Sequence, residues 1–166
     1  MKKSVRPVFI FFAVFLAALM TKLFVIDIMP ISGPSMRPTL AHGSFLIEYK
    51  LAWGIPVPYR NEYFVRWGSP AVGDIIIYPW LDRYVVKRCV AKEGTPLAFS
   101  DETGYSVRVG EREISLTREQ YQNLKNAERV PEGMVFALGD NMAESRDSRD
   151  YGFVSLDSIR GKVLWR

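Results

Sequence analysis

The feature that most constrains this chain is an uncharged apolar run near its N-terminus, Pro7 to Thr21, with basic residues on both sides. As a helix this run is about 22 Å long, shorter than the ~30 Å hydrocarbon layer of a membrane. The flanking Arg6 and Lys22 must therefore extend outward, and residues Leu23 to Ile26 either prolong the helix or start a strand. The run predicts a membrane helix.

A short apolar run behind basic residues also occurs in cleaved secretory signal peptides. Those peptides end in two small residues separated by one position, and no such pair stands at the end of this run. The sequence therefore favours a retained anchor. By the positive-inside rule, the basic residues before the run place the N-terminus in the cytoplasm. We expect residues 1–23 to form the cytoplasmic end and the anchor, and residues 24–166 to form an extracytoplasmic domain.

Length and composition exclude several classes of protein. The chain has 166 residues, enough for one domain with a sizeable core. A single cysteine, Cys89, excludes an intramolecular disulfide, and a single histidine, His42, excludes the common zinc motifs. The 22 basic and 18 acidic residues are scattered, so the net charge of +4 does not indicate nucleic-acid binding. We expect no metal, no cofactor and no nucleic acid.

Short β-prone runs recur between turn signals after the apolar run, separated by many of the ten prolines and twelve glycines. This spacing predicts a mainly β domain with one possible helix, Thr117 to Arg129. The predicted strands are Leu23–Ile28, Ser44–Glu48, Asp74–Tyr78, Arg83–Val90, Ser106–Val109, Met134–Leu138 and Gly161–Trp165. The segment Leu51 to Ser69 is rich in aromatic residues and proline, and its rings either cover the β core or enter a membrane interface.

Ser35 is the candidate nucleophile. It lies within SGPSMRPTL, residues 32–40, whose glycine and prolines restrict the backbone on both sides. A serine hydroxyl needs a base, and His42 stands in a turn-like stretch typical of an exposed residue. A Ser-His-Asp triad is therefore disfavoured. The remaining bases at neutral pH are a carboxylate or a lysine whose pKa is lowered by burial.

Lys87 is the candidate base because it lies inside YVVKRCVA, residues 84–91, a run otherwise typical of a buried strand. Strand alternation places it on the same face as Val85 and Cys89. In an interior strand, desolvation can lower the lysine pKa by the two to three pH units, roughly, that a base near neutrality needs. On an edge strand the same side chain would point to solvent. The alternation alone leaves both placements open.

A third polar segment, Leu138 to Val154, is dense in alternating Asp and Arg residues. Such a loop is either solvated and inert or held together by internal salt bridges. In the second case Ser145 could hydrogen-bond a neutral lysine amine and fix its direction.

Three segments in this order, SGPSMRPTL, YVVKRCVAKEG and GDNMAESRDSRDYGFV, resemble the conserved boxes of the type I signal peptidases, membrane-bound serine proteases with a Ser/Lys dyad. VGDIII at 72–77 resembles a fourth box. The resemblance implies an antiparallel β-rich catalytic domain in which Ser35 is the nucleophile, Lys87 the general base and Ser145 the hydroxyl that orients the lysine. It implies two supporting ion pairs, Arg88 with Asp140 and Asp147 with Arg149. It also implies that four apolar side chains line substrate pockets: Ile31, Met36, Leu40 and Val86.

The implied function is removal of signal peptides from secretory preproteins at the bacterial plasma membrane, with cleavage after small residues through an acyl-enzyme and without a cofactor. We expect a monomer in contact with the lipid bilayer. One alternative is a related Ser/Lys maturation protease of a pilus or conjugation system. Another is a non-catalytic module that binds extended peptides, which would not need Ser35, Lys87 and Ser145 together.

Three places depart from the family pattern, one of them the turn at Lys92–Thr95, where the family usually has Pro-Gly-Asp. Gly33 stands where many Gram-negative members carry a serine that contributes to the oxyanion hole, so the hole is expected to rest mainly on the Ser35 backbone amide. Met142 and Ala143 replace the usual Arg-Asp pair, which removes one local ion pair.

Overall fold

A computed structural model describes residues 6–58, 60 and 62–165. The elements in chain order are α1 (Arg6–Met20), β1 (Ile26–Pro30), β2 (Phe45–Tyr49), β3 (Gly54–Pro56), β4 (Tyr63–Arg66), β5 (Ile75–Trp80), β6 (Arg83–Lys92), β7 (Leu97–Ser100), β8 (Ser106–Val109), β9 (Arg112–Ser115), α2 (Arg118–Leu124), β10 (Met134–Leu138), α3 (Ser148–Tyr151), β11 (Val154–Ser155) and β12 (Gly161–Trp165). The prediction of a mainly β domain behind an apolar helix is confirmed.

The apolar helix continues directly into the domain. After α1, residues Thr21–Val25 form a π-helical turn that ends when the Ile26 N–H donates to the Thr21 carbonyl. The stretch Pro7–Val25 is long and apolar enough to cross a membrane, and it is not buried against the rest of the chain. The strand predicted to begin at Leu23 is therefore wrong at its start, because helical hydrogen bonding persists to Val25 and β1 begins at the next residue.

The largest sheet has seven antiparallel strands in the order β1-β2-β12-β5-β6-β10-β11. A two-stranded sheet, β3-β4, and a three-stranded sheet, β7-β8-β9, lie outside it. Strand β6 is interior because β5 and β10 pair with its two edges. The C-terminal strand β12 lies between β2 and β5, so it joins the β1-β2 hairpin to the centre of the sheet.

Apolar side chains on the sheet form the core on either side of it. In β5, residues Ile75–Tyr78 are all buried, as expected for a strand covered on both faces. One cluster packs Met36, Leu40 and Leu46 against this strand, and another packs β7 and β8 against α2. The first cluster lies under the turn that carries Ser35.

The helix predicted for Thr117 to Arg129 is shorter than expected. It starts at the predicted place, where Thr117 and Gln120 form a capping box in which each side chain bonds the other's backbone N–H group. It ends at Leu124 because the following residues return to pair with the start of β7. There the Leu97 N–H donates to the Glu128 carbonyl at 2.9 Å.

The aromatic segment Leu51 to Ser69 contains both buried and exposed rings, and the entry of its rings into a membrane interface stays a prediction. Trp53 is buried in the core, whereas the rings of Phe64 and Trp67 are 65% and 58% exposed. Its two short strands, β3 and β4, were not predicted, since prolines interrupt the alternation there.

Candidate active site

Ser35 lies on a tight loop between β1 and β2. The loop is closed at its base, where the Ile31 N–H donates to the Ser44 carbonyl at 2.8 Å. Gly33 has φ +95°, a left-handed conformation that glycine adopts without strain. The side chains of Met36 and Leu40 are 2% and 1% exposed, so they fix the loop to the core. The hydroxyl of Ser35 is therefore held on a rigid support, as predicted.

Lys87 points from the interior strand β6 directly at this serine. Its Nζ donates to Ser35 Oγ at 2.8 Å, and the residue is 3% exposed. The edge-strand alternative is thereby excluded. Burial lowers the pKa of Lys87, an effect that the nearby Asp147 carboxylate opposes and the Arg149 guanidinium reinforces. A lysine in this setting can exist as a neutral amine and accept the proton of the hydroxyl that it contacts.

Ser145 lies beside this pair without bonding the lysine. It is 8% exposed, and its Oγ makes no hydrogen bond to any described residue. A Cβ added at Gly139 would overlap Ser145 Oγ and would lie 2.5 Å from the Ser35 carbonyl oxygen. The absence of a side chain at Gly139 thus allows the two serines to approach each other. The orienting role of Ser145 stays a prediction.

The chain after β10 holds the nucleophile loop from the other side. The Asn141 N–H donates to the Ser35 carbonyl at 2.9 Å, and Asn141 Nδ2 donates to the Pro34 carbonyl at 3.3 Å. Asn141 was not singled out from the sequence, although it belongs to the GDN triplet of the third segment. Its two bonds fix the backbone on which the nucleophile sits.

Asp147 and Arg149 form a buried ion pair behind the site. Arg149 Nε and Nη2 donate to the two carboxylate oxygens at 2.9 and 3.0 Å, and the Gly139 N–H donates to Oδ2 at 3.0 Å. Arg149 Nη2 also donates to the Met142 carbonyl at 2.8 Å. The loop that departs from the family pattern at Met142 is therefore held by its backbone.

Arg88 and Asp140 form a second pair at the edge of the site. Arg88 Nε and Nη2 donate to Asp140 Oδ1 and Oδ2 at 2.8 and 2.6 Å, a two-pronged geometry. The hydrogen bond to Asp140 raises the pKa of Arg88. Arg88 Nη1 reaches the Gly73 carbonyl at 2.8 Å, which ties the turn before β5 to the active site.

The four apolar side chains expected to line substrate pockets occupy one cluster. Ile31, Met36 and Leu40 are buried, while Val86 of β6 is partly exposed. Met36 and Leu40 of this cluster belong to the loop that carries Ser35, so the cluster packs that loop onto the core. Their contact with substrate stays a prediction.

The histidine of this chain, His42, is not part of the Ser35–Lys87 dyad and has a different role in the structure. His42 is exposed, and its Nδ1 accepts a hydrogen bond from the Gly33 N–H at 2.9 Å. Among the described residues, no group of three or more His, Cys, Asp or Glu side chains is placed to hold a metal ion.

Comparison with known proteins places this geometry in a family. The model of the family described as signal peptidase, peptidase S26, matches residues 4–166. The chain belongs to this family. The resemblance inferred from its motifs is confirmed, and with it the class of enzyme, a serine endopeptidase of the signal peptidase I type. The apolar helix of this signal peptidase fits the membrane anchoring of such an enzyme.

Individual relatives agree over most of the chain. Signal peptidase I of Bacillus caldolyticus is 31% identical over 159 residues, which cover 87% of this chain and 81% of that protein. Probable signal peptidase I-1 of Synechocystis is 32% identical over 162 residues, 90% of this chain and 74% of that one. A signal peptidase I of Enterococcus faecalis, known from a crystal structure, is 28% identical with a TM-score of 0.39 and covers 58% of this chain and 97% of its own.

Proposed function

We propose that the protein removes signal peptides from secretory preproteins by acyl transfer to Ser35, with Lys87 as the general base. The observation that carries this proposal is the 2.8 Å contact between Lys87 Nζ and Ser35 Oγ, made by a lysine that is 3% exposed. Because burial lowers the pKa of Lys87, a neutral amine is accessible to take the serine proton.

The reaction proceeds in two steps. Lys87 takes the hydroxyl proton while Ser35 Oγ attacks the scissile carbonyl, and the protonated lysine then gives that proton to the leaving amine. Lys87, neutral again, activates a water molecule that hydrolyses the acyl-enzyme. Since Gly33 has no side chain to donate a hydrogen bond, the oxyanion is stabilised by backbone donors, with the Ser35 amide first among them. The bonds from Asn141 keep that backbone in position.

The substrate is an extended segment with small residues at the first and third positions before the cut. Support comes from Ile31, Met36, Leu40 and Val86, apolar side chains of one cluster that includes residues of the nucleophile loop. Enlarging the substrate residue before the cut from Ala to Leu is expected to abolish cleavage. Equal processing of both substrates would contradict this pocket assignment.

The topology is a single span with the N-terminus in the cytoplasm and the catalytic domain across the bacterial plasma membrane. The apolar stretch Pro7–Val25 supports the span, and the basic residues before it support the orientation. The exposed rings of Phe64 and Trp67 are suited to the lipid interface. A monomer suffices, because Ser35 and Lys87 meet within one chain.

The test is cleavage of a model preprotein by the purified protein in detergent, comparing wild type with Ser35→Ala and Lys87→Met. Lys125→Met is the matched control, because it removes an exposed lysine far along the chain. Loss of the base is expected to lower kcat by about 10²–10⁴-fold, and loss of the nucleophile by at least as much, while the control cuts normally. Normal cleavage by either folded variant would refute the dyad, and binding without cleavage by wild type would favour a peptide-binding module.

A further inference from the structure

The membrane-facing end of the domain holds a lysine that binds the end of the apolar helix. Lys50, directly after β2, is 5% exposed. Its Nζ donates to the carbonyl oxygens of Lys22 at 2.6 Å and Leu23 at 3.4 Å. Carbonyls in the last turn of a helix have no partner within the helix, and a positive charge there is favourable. Lys50 thus joins the domain to the helix end.

The same ammonium belongs to a network that crosses several strands. Lys50 Nζ lies 3.2 Å from Asp27 Oδ2 in β1, and the same oxygen accepts from Arg160 Nη2 at 3.0 Å. Arg160 also pairs at 3.2 Å with Glu48 of β2, which is fully buried, and lies 4.5 Å over the ring of Tyr84. The helix end is therefore fixed to β1, β2, β6 and the residue before β12.

No linker separates this junction from the active site. The helical turn ends at Val25, β1 starts at Ile26, and all of β1 is paired in register with β2. Five strand residues span about 17 Å, after which the chain enters the loop that carries Ser35. The helix end and the nucleophile are thus separated only by β1 and by the first residues of the closed loop that follows it.

We propose that Lys50 is a positioning residue that fixes the height of the Ser35–Lys87 pair above the membrane surface. The protein then selects preproteins by the distance between the end of their membrane-spanning apolar segment and the scissile bond. This inference rests on the proposed function. Without the buried ammonium, the helix end has free carbonyls beside a π-helical turn, so the helix can tilt against β1 and the height is no longer fixed.

The test compares wild type, Lys50→Met and the control Lys125→Met in phosphatidylethanolamine and phosphatidylglycerol vesicles. The substrates are membrane-inserted preproteins whose cleavage site is moved stepwise away from the apolar segment, and a water-soluble peptide with the same cleavage sequence. A four-residue displacement moves the site by about 13 Å. For wild type and the control it is expected to lower kcat/KM by about tenfold or more, since misplacement of reacting groups is costly. For Lys50→Met the same displacement is expected to lower kcat/KM by less than about threefold, and cleavage of the water-soluble peptide is expected to be unchanged.

The outcomes separate the inference from the function on which it rests. An unaltered distance profile in Lys50→Met refutes the positioning role, and so does an equal loss on preprotein and peptide, which marks a merely structural residue. Failure of wild type to cut the peptide refutes the proposed function instead. Should Lys50→Met fail to fold, insertion of Gly-Ser between Val25 and Ile26 moves the carbonyls of Lys22 and Leu23 away from Lys50 and uncouples the helix from β1, while the pairing of Lys50 with Asp27 is retained. That insertion is expected to flatten the profile, and an unchanged profile refutes the inference.

Discussion

Asp147 fixes the loop after β10. Replacing it with asparagine removes the negative charge of the side chain but keeps its shape. The buried carboxylate accepts four hydrogen bonds, from the backbone N–H groups of Gly139 and Arg149 and from Nε and Nη2 of Arg149. Asparagine keeps the volume but turns one acceptor into an NH₂ donor. A donor then faces a donor, and the guanidinium of Arg149 remains as a buried cation without its counter-charge.

The expected loss of stability is large. Breaking a buried ion pair by removing one charge costs about 3–5 kcal/mol of the free energy of unfolding. For a domain of this size each kcal/mol corresponds to about 2–4 °C in Tm, so Asp147→Asn is expected to lower Tm by about 6–20 °C. Adding Arg149→Met removes the uncompensated cation and is expected to restore most of that loss. The control Asp157→Asn, in a pair whose carboxylate is 77% exposed, is expected to change little.

The same substitution changes the pKa of Lys87 in a defined direction. Burial lowers that pKa, the charge of Asp147 raises it and the charge of Arg149 lowers it. Asp147→Asn therefore lowers the pKa of Lys87 further. Because the neutral amine is the base, activity is present above this pKa and lost as pH falls through it. The acid limb of the kcat/KM profile is expected to move to lower pH, and to return toward wild type in the double variant.

Two measurements check this reasoning on detergent-solubilised protein. Thermal unfolding gives Tm, and preprotein cleavage from about pH 5 to pH 10 gives the position of the acid limb. A Tm change under about 3 °C would show that the Asp147–Arg149 pair stabilises the protein less than its burial implies. A destabilised variant with an unmoved limb would show that Lys87 is not the group whose titration controls cleavage.

Three further predictions concern single positions. Gly139→Ala is expected to abolish cleavage with the β circular-dichroism signal retained, because the added Cβ would lie 2.5 Å from the Ser35 carbonyl oxygen; a normal rate would contradict this crowding. Leu40→Ala, at a fully buried site, should lower the free energy of unfolding by about 2–5 kcal/mol, measured as a lower Tm against exposed Leu164→Ala as control; equal Tm values would count against the packing under the nucleophile. Iodoacetamide at neutral pH should leave cleavage intact, since Cys89 is fully buried and burial raises its pKa to about 11; inactivation in step with labelling would give the thiol a part in the reaction.

Alternation and turn residues were sufficient to predict most of the central strands, because those strands have one polar and one apolar face or are apolar throughout. They were not sufficient to place Lys87. The run around it is the same whether β6 lies at an edge or inside the sheet, and only the pairing of β6 with both β5 and β10 decides between the two. The pairing of Lys87 with Ser35 was predicted from the resemblance of the motifs to those of the family. Strand alternation alone could not predict it.

The junction at Lys50 could not be predicted for a different reason. Its partners stand far apart in the chain, at Lys22, Asp27 and, through the aspartate, Arg160. A lysine after a short strand is ordinarily a solvated residue, and no local pattern distinguishes this one. The early end of the helix α2 has the same cause, since its last predicted residues are drawn away by pairing with a distant strand.

The position of β12 has a consequence for the order in which the enzyme becomes active. Among the described strands of the large sheet, the hairpin β1-β2 beside the nucleophile loop reaches the strands that carry the base only through β12. Ser35 is synthesised before Lys87, and the strand that brings their two halves into one sheet is synthesised after both. Chains that stop before Gly161 are therefore expected to be without cleavage activity, so that an unfinished protease is also a harmless one.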